Sequence, residues 1–224
     1  PVVDVCRGEE EEHLAGRSFG EDPEVVALLG RTVVKDLQTN GVMAVAKHFP
    51  GLGRADVDPH VHLPRINIPL EEIEKINFPP FAAAIEEGVC GIMTSHAVYP
   101  AIDPERPATL SPKVLIGVLR EKMGFRGLTI TDDLEMGAIA AEWSVAEGAL
   151  KSFQAGADIL LICKDQERVR ESLELMRGAL SKGTITDARL DQSLGRIRQM
   201  KKRFLGRQEE ISLAGVRGYF IGSA

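Results

Sequence analysis

The sequence predicts an α/β fold, a (β/α)8 TIM barrel that is incomplete and contains about its last five βα units. Short runs that are apolar on both faces, such as Gly91-Ile92-Met93-Thr94, end abruptly in polar residues, as buried strands of a parallel sheet do. Segments with helical periodicity alternate with these runs, which indicates βαβ units. Polar residues follow several strands instead of one switch point, which favours a barrel over a doubly wound sheet. No Gly-rich dinucleotide or phosphate-binding motif follows a strand.

Five strands are predicted in chain order. They cover residues 1–5, 42–46, 91–94, 128–131 and 158–162. A closed barrel needs about three further βα units, so we interpret residues 1–224 as the C-terminal portion of a single TIM-barrel catalytic domain. The first strand would otherwise present an unpaired edge. We therefore expect an upstream segment or a second chain to complete the barrel.

Helices are predicted between and after these strands. In the first, Asp22 supplies an N-cap, Pro23 occupies the first helical position, and a glycine at position 41 stops the helix. Its apolar residues recur every four positions and predict one buried face: Val25, Leu29, Val33 and Leu37. The remaining helices are predicted over residues 81–87, 111–123, 144–154, 165–180 and 186–204.

Composition narrows the classes of function. The 224 residues are 44% hydrophobic, enough for a sizeable core, and the net charge is -6 with scattered basic residues, so nucleic acid is not an expected partner. No apolar run approaches the roughly 20 residues that span a bilayer, so no membrane partner is expected. The three cysteines follow no disulfide or metal-ligand spacing, which favours free thiols, a cytoplasmic location, and neither metal nor cofactor.

Two groups of polar residues follow the second predicted strand. Lys47 and His48 come directly after that strand and offer two donors to a hydroxyl-rich ligand. Asp58 and His60 come next, separated by one proline. Asp58 precedes this proline and is biased toward extended backbone, where residues two apart point to the same side. A carboxylate beside an imidazole fixes its tautomer and supports its protonated form, as a general acid/base requires; a purely structural contact within the loop is the alternative.

Paired carboxylates, Asp132 and Asp133, end the fourth predicted strand. Adjacent residues of a strand point to opposite sides. One carboxylate is therefore expected to enter the barrel mouth, where it can act as a nucleophile, while the other caps the following turn. Helix capping by both residues is the alternative.

Taken together, several motifs resemble glycoside hydrolase family 3, and more closely its β-N-acetylhexosaminidase branch, which acts in peptidoglycan recycling. They are Arg17-Ser18-Phe19-Gly20-Glu21-Asp22-Pro23, Lys47-His48-Phe49-Pro50-Gly51, Asp58-Pro59-His60, Thr94-Ser95-His96 and Thr131-Asp132-Asp133-Leu134-Glu135-Met136. They occur in unbroken order over nearly the whole chain. Leu52 replaces the histidine that is common in this branch, and Pro59 replaces a small residue.

The resemblance implies a hydrolase: a retaining exo-β-N-acetylglucosaminidase. It would release terminal N-acetylglucosamine from peptidoglycan fragments or chito-oligosaccharides through a covalent glycosyl-enzyme. Carried over by position, Asp132 is the nucleophile, His60 the acid/base and Asp58 its partner. The residues implied to bind sugar hydroxyls are Arg17, Lys47 and His48.

Two rival functions remain. A neutral imidazole does not repel phosphate, so a β-N-acetylglucosaminide phosphorylase is one alternative. A non-catalytic sugar-binding barrel fragment is the other.

Secondary residues are interpreted more simply. His96 is expected to be structural, with cavity lining as the alternative, and Trp143 is expected to cover core, with a sugar platform as the alternative. Met136 either lines a subsite or fills a gap. His62 and His13 are expected on the surface.

Overall fold

A parallel sheet forms the centre of the molecule. The computed structural model describes residues 1–6, 14, 16–55 and 57–206. Four strands lie in the order β1-β2-β5-β6, and their bounds are β1 Val45–Phe49, β2 Gly91–Thr94, β5 Leu128–Asp133 and β6 Ile159–Leu161. The predicted α/β fold with a mostly parallel sheet is therefore confirmed.

The N-terminal segment adds a fifth parallel element beside β1. Val2 bridges Lys47 in parallel register, and the amide of Val3 donates to the carbonyl of Lys47 at 2.7 Å. Within the described residues, pairing runs from this segment to β6 without joining the two ends. This arrangement agrees with an incomplete barrel.

Helices follow the strands as the sequence predicts. The α-helices are α1 Pro23–Thr39, α2 Leu70–Glu72, α3 Phe78–Glu86, α4 Gly137–Ala140, α5 Val145–Ala155, α6 Gln166–Ser181 and α7 Asp187–Leu205. A π-helical turn, Ile73–Asn77, joins α2 to α3. Among the described residues, no helix combines the length and apolarity needed to cross a bilayer.

The predicted bounds and faces need three corrections. Strand β1 begins at Val45 and continues through Phe49, so Lys47 and His48 lie inside the strand and not beyond it. The helix predicted over residues 111–123 is a π-helix, Lys113–Lys122. The apolar face predicted for α1 is wrong, because the buried residues are Val26, Ala27, Gly30 and Val34.

A close contact explains the rotated face of α1. A Cβ on Gly30 would lie 2.7 Å from Cγ1 of Val3, so this helix packs tightly on the N-terminal segment through its smallest residue. Val25 and Leu29 are left 43% and 39% exposed.

One antiparallel hairpin was not predicted. Strands β3 Val98–Tyr99 and β4 Asp103–Pro107 pair antiparallel between β2 and the π-helix Lys113–Lys122. A 3-10 turn, Ala108–Leu110, follows β4.

The amino ends of the strands are closed by α7. Asp158, just before β6, is buried and accepts hydrogen bonds from Arg120 at 2.8 Å, Arg196 at 2.9 Å and Ser193 at 2.6 Å. Burial lowers the pKa of Arg120 to about 10, although the Asp158 carboxylate opposes this shift. This end is held by structural contacts and leaves the carboxyl ends of the strands for chemistry.

Candidate active site

The carboxyl ends of β1 and β5 meet at a cavity of about 190 Å³. Five residues predicted for the site line it together: Arg17, Lys47, His48, His60 and Asp132. The sixth, Asp58, stands behind His60 and contacts its ring. The remaining lining residues are Leu52, Pro59 and Met136. The sheet thus brings together residues that are up to 115 positions apart in the sequence.

The two carboxylates at the end of β5, Asp132 and Asp133, have separate environments. Asp132 lines the cavity with its side chain 24% exposed, and the amide of Asp133 donates to its Oδ1 at 2.8 Å. Asp133 instead accepts from the amides of Glu135 at 3.1 Å and Cys163 at 3.3 Å. Asp133 therefore caps the turn, while Asp132 remains available to a ligand.

His60 and Asp58 form a pair on an exposed loop. Oδ1 of Asp58 lies 2.7 Å from Nδ1 of His60 and accepts the amide of the same residue at 2.9 Å. Their side chains are 60% and 48% exposed, respectively. A carboxylate can only accept, so Nδ1 carries the proton. Nε2 is then the ring nitrogen that gains or loses a proton.

Asp4 is a site residue that the sequence reasoning missed. Its side chain is fully buried, and Oδ2 lies 2.7 Å from Nδ1 of His48. Oδ1 accepts the amides of Leu52 at 2.7 Å and His48 at 3.1 Å. Asp4 therefore fixes both the ring of His48 and the loop behind it. The available signal was a lone carboxylate in an otherwise apolar strand.

His48 links this buried carboxylate to Asp132. Its side chain is 4% exposed, and Nε2 lies 3.7 Å from Oδ2 of Asp132. The register of β1 with β2 shifts between Ala46 and Phe49, and at this irregularity both Lys47 and His48 line the cavity. Arg17 is placed by the turn before α1, where the hydroxyl of Ser18 donates to the carbonyl of Asp4 at 2.6 Å.

His96 has a structural environment, as predicted. It is buried, its Nε2 donates to the carbonyl of Asp133 at 3.0 Å, and its Nδ1 lies 2.7 Å from Oγ1 of Thr109. Burial lowers the pKa of His96 and outweighs the nearby carboxylate of Asp132. A neutral His96 therefore holds the backbone that follows Asp132.

The other residues considered from the sequence lie as follows. Trp143 packs partly buried against the cluster around Leu134, and Met136 lines the cavity. His62 is exposed, whereas His13 lies outside the described residues. Within the described ranges, no group of three or more His, Cys, Asp or Glu side chains could hold a metal ion.

Comparison with known proteins identifies the family. The model described as "Glycosyl hydrolase family 3 N terminal domain" matches residues 1–200, and the chain belongs to this family. A beta-hexosaminidase of Nitrosomonas eutropha is 37% identical over 221 residues, which cover 95% of this chain and 62% of the relative. The chain thus spans less than two thirds of that relative's length.

Solved structures give the same result. A glycoside hydrolase family 3 beta-N-acetylglucosaminidase from Paenibacillus sp. str. FPU-7 superposes with a TM-score of 0.91 at 37% identity, covering 95% of this chain and 41% of that one. A beta-glucoside phosphorylase superposes with a TM-score of 0.86 at 27% identity, covering 94% of this chain and 39% of that one.

Proposed function

We propose that the protein is a retaining exo-β-N-acetylglucosaminidase that releases terminal N-acetylglucosamine through a covalent glycosyl-enzyme. One observation carries the proposal: a partly exposed carboxylate, Asp132, and a carboxylate-paired imidazole, His60, line one cavity at the carboxyl ends of parallel strands. These are the two groups that a double displacement at an anomeric carbon needs.

The first step breaks the glycosidic bond. A carboxylate oxygen of Asp132 attacks C1 while protonated His60 gives the proton on Nε2 to the leaving oxygen. The products of this step are a glycosyl ester on Asp132, a neutral imidazole and the free aglycone. Asp58 contacts Nδ1 at 2.7 Å and fixes the orientation of the ring, so Nε2 can donate a proton in this step and accept one in the next.

The second step releases the sugar. Neutral His60 removes a proton from water, the water oxygen attacks C1, and the carboxylate of Asp132 leaves. The acid/base is thereby returned to its protonated form, and two inversions at C1 give net retention.

Binding of the sugar is assigned to the polar residues around Asp132. We propose that Arg17, Lys47 and His48 bind sugar hydroxyls, with His48 oriented by buried Asp4. The similarity to a beta-hexosaminidase and a beta-N-acetylglucosaminidase supports an N-acetylglucosaminide substrate. Peptidoglycan fragments or chito-oligosaccharides are the proposed natural sources.

The leaving-group dependence of the rate tests these roles. The experiment measures the rates at which four proteins hydrolyse aryl N-acetylglucosaminides of graded leaving-group pKa. The proteins are the wild type, Asp132→Ala, His60→Ala and Asp58→Ala. Asp132→Ala should lose nearly all turnover on every substrate. His60→Ala should lose about 10²–10⁴-fold in kcat/KM, which reports the first step, on poor leaving groups and far less on dinitrophenolate, which departs without protonation. Asp58→Ala should show a milder form of the same dependence. Equal losses of His60→Ala across the series would contradict the acid/base role.

Phosphorolysis is a second candidate, favoured by the uncharged base that His60 provides and by the similarity to a beta-glucoside phosphorylase. Phosphate would then replace water in the second step. Product analysis in phosphate buffer separates the two, because a phosphorylase gives sugar 1-phosphate and a hydrolase gives free N-acetylglucosamine.

The organisation of the whole protein also remains a proposal. We place residues 1–224 in the C-terminal portion of one barrel domain completed by an upstream segment or a second chain. A cytoplasmic location stays a prediction.

A further inference from the structure

The loop that carries His60 is held by its main chain. We propose that Gly137, five residues beyond Asp132, is a positioning residue for the acid/base: its lack of a side chain lets this loop dock beside the nucleophile strand. The inference rests on the proposed role of His60 and assigns a function to a residue that does not line the cavity.

Two amides bind the loop. The amide of Gly137 donates to the carbonyl of His60 at 3.0 Å, and the amide of Ala138 donates to the carbonyl of Pro59 at 3.2 Å. Both amides belong to the first turn of α4, where a helix has no carbonyls of its own to offer. The loop supplies those acceptors, so docking satisfies the helix start and fixes the backbone of His60 together.

Glycine is required here for space. Its φ lies outside the left-handed region, so alanine could adopt the same backbone conformation. A Cβ at Gly137 would nevertheless lie 2.7 Å from the carbonyl carbon of Val61, closer still to its oxygen, and 2.9 Å from the carbonyl oxygen of His60. These are backbone atoms, which cannot rotate away as a side chain can. Alanine must therefore push the loop off α4.

Side chains of the loop do little to replace this anchor. Val61 is 58% exposed, and the side chains of Asp58 and His60 are also largely exposed. Only Pro59 is buried, and its carbonyl is one of the two docked acceptors. The position of the His60 ring relative to Asp132 therefore depends on the contact with Gly137 and Ala138.

The test compares Gly137→Ala with Gly178→Ala in the intact protein. Gly178 lies within α6, and a Cβ there meets no atom within 4 Å, so it controls for a glycine-to-alanine change in a helix. Amide hydrogen exchange reports docking without reference to activity. In the wild type, the amides of Gly137 and Ala138 should be protected. In Gly137→Ala, exchange across residues 58–62 and at Ala138 should be at least about tenfold faster, with α7 unchanged.

The kinetic measurement is the leaving-group series. Gly137→Ala should lose about ten- to a hundredfold in kcat/KM, which reports the first step, on poor leaving groups, a part of the general acid–base contribution, and little on dinitrophenolate. Gly178→Ala should match the wild type on both.

The possible contrary results distinguish the docking of the loop, the positioning role of Gly137 and the proposed function. Rapid exchange of the amides of Gly137 and Ala138 in the wild type, or unchanged loop exchange in Gly137→Ala, would overturn the docking. Faster loop exchange with unchanged rates would overturn the positioning role, while the function stands if His60→Ala still shows the leaving-group dependence. Loss of that dependence in His60→Ala itself would count against the proposed function instead.

Discussion

Replacing Asp4 by asparagine should destabilise the fold and the site together. The buried Asp4 carboxylate accepts amides from His48 and Leu52 and lies 2.7 Å from Nδ1 of His48. Asparagine keeps the shape but offers one oxygen and turns an NH2 group toward donors. Hydrogen bonds to a charged group contribute about 1.5–3 kcal/mol each, so weakening two of these three should cost about 3–6 kcal/mol. We expect the free energy of unfolding to fall by this amount.

Urea unfolding with a matched control measures this loss. With a slope of about 2–3 kcal/mol per M, the midpoint should fall by about 1–3 M. Asp22→Asn is the control, because Asp22 is an exposed N-cap of α1 and asparagine caps a helix equally well. Turnover of an N-acetylglucosaminide by Asp4→Asn should also fall, since His48 loses its orientation. A loss below about 1 kcal/mol, equal to that of Asp22→Asn, would refute the reasoning.

Two further predictions concern the pH dependence of stability and the separation of stability from catalysis. Burial lowers the pKa of His96 below 6.5, so the unfolded state binds its proton first as the pH falls. As the pH falls below about 6.5, the free energy of unfolding of the wild type should therefore decrease relative to that of His96→Gln, by at most about 1.4 kcal/mol per pH unit. Parallel plots of this free energy against pH for the two proteins would contradict the prediction. Asp158→Asn should lower the free energy of unfolding, measured in urea, by about 3–5 kcal/mol. It should leave kcat unchanged, because Asp158 lies at the amino ends of the strands, away from the cavity. A large loss of kcat at temperatures where the variant stays folded would contradict this separation of stability from catalysis.

Much of the fold was predictable because its signals are local. Strand β2 matches the predicted run of residues 91–94. Asp22 and Ser144 cap α1 and α5 through their own side chains. The pair Asp58 and His60 is also local, since extended backbone brings residues two apart to one side.

The missed features depend on distant partners. Asp4 acquires its role from His48, 44 residues away, which no local pattern reveals. Strand β4 reads Asp-Pro-Glu-Arg-Pro, and its prolines and charged residues are poor strand formers. The buried face of α1 is determined by the close contact of Gly30 with Val3. The face formed by the larger apolar residues, which the sequence predicted to be buried, is therefore not the one that packs on the core.

The most direct test of the account is to find where the sugar becomes attached. His60→Ala is mixed with a dinitrophenyl N-acetylglucosaminide, quenched with acid within the first turnover, digested and sequenced by mass spectrometry. Loss of the base should slow attack by water, so a burst of phenolate should accompany one N-acetylglucosaminyl ester on Asp132, absent from Asp132→Ala. Steady release without a burst, or an ester on Asp133 or any other residue, would contradict the assignment of Asp132 as the nucleophile.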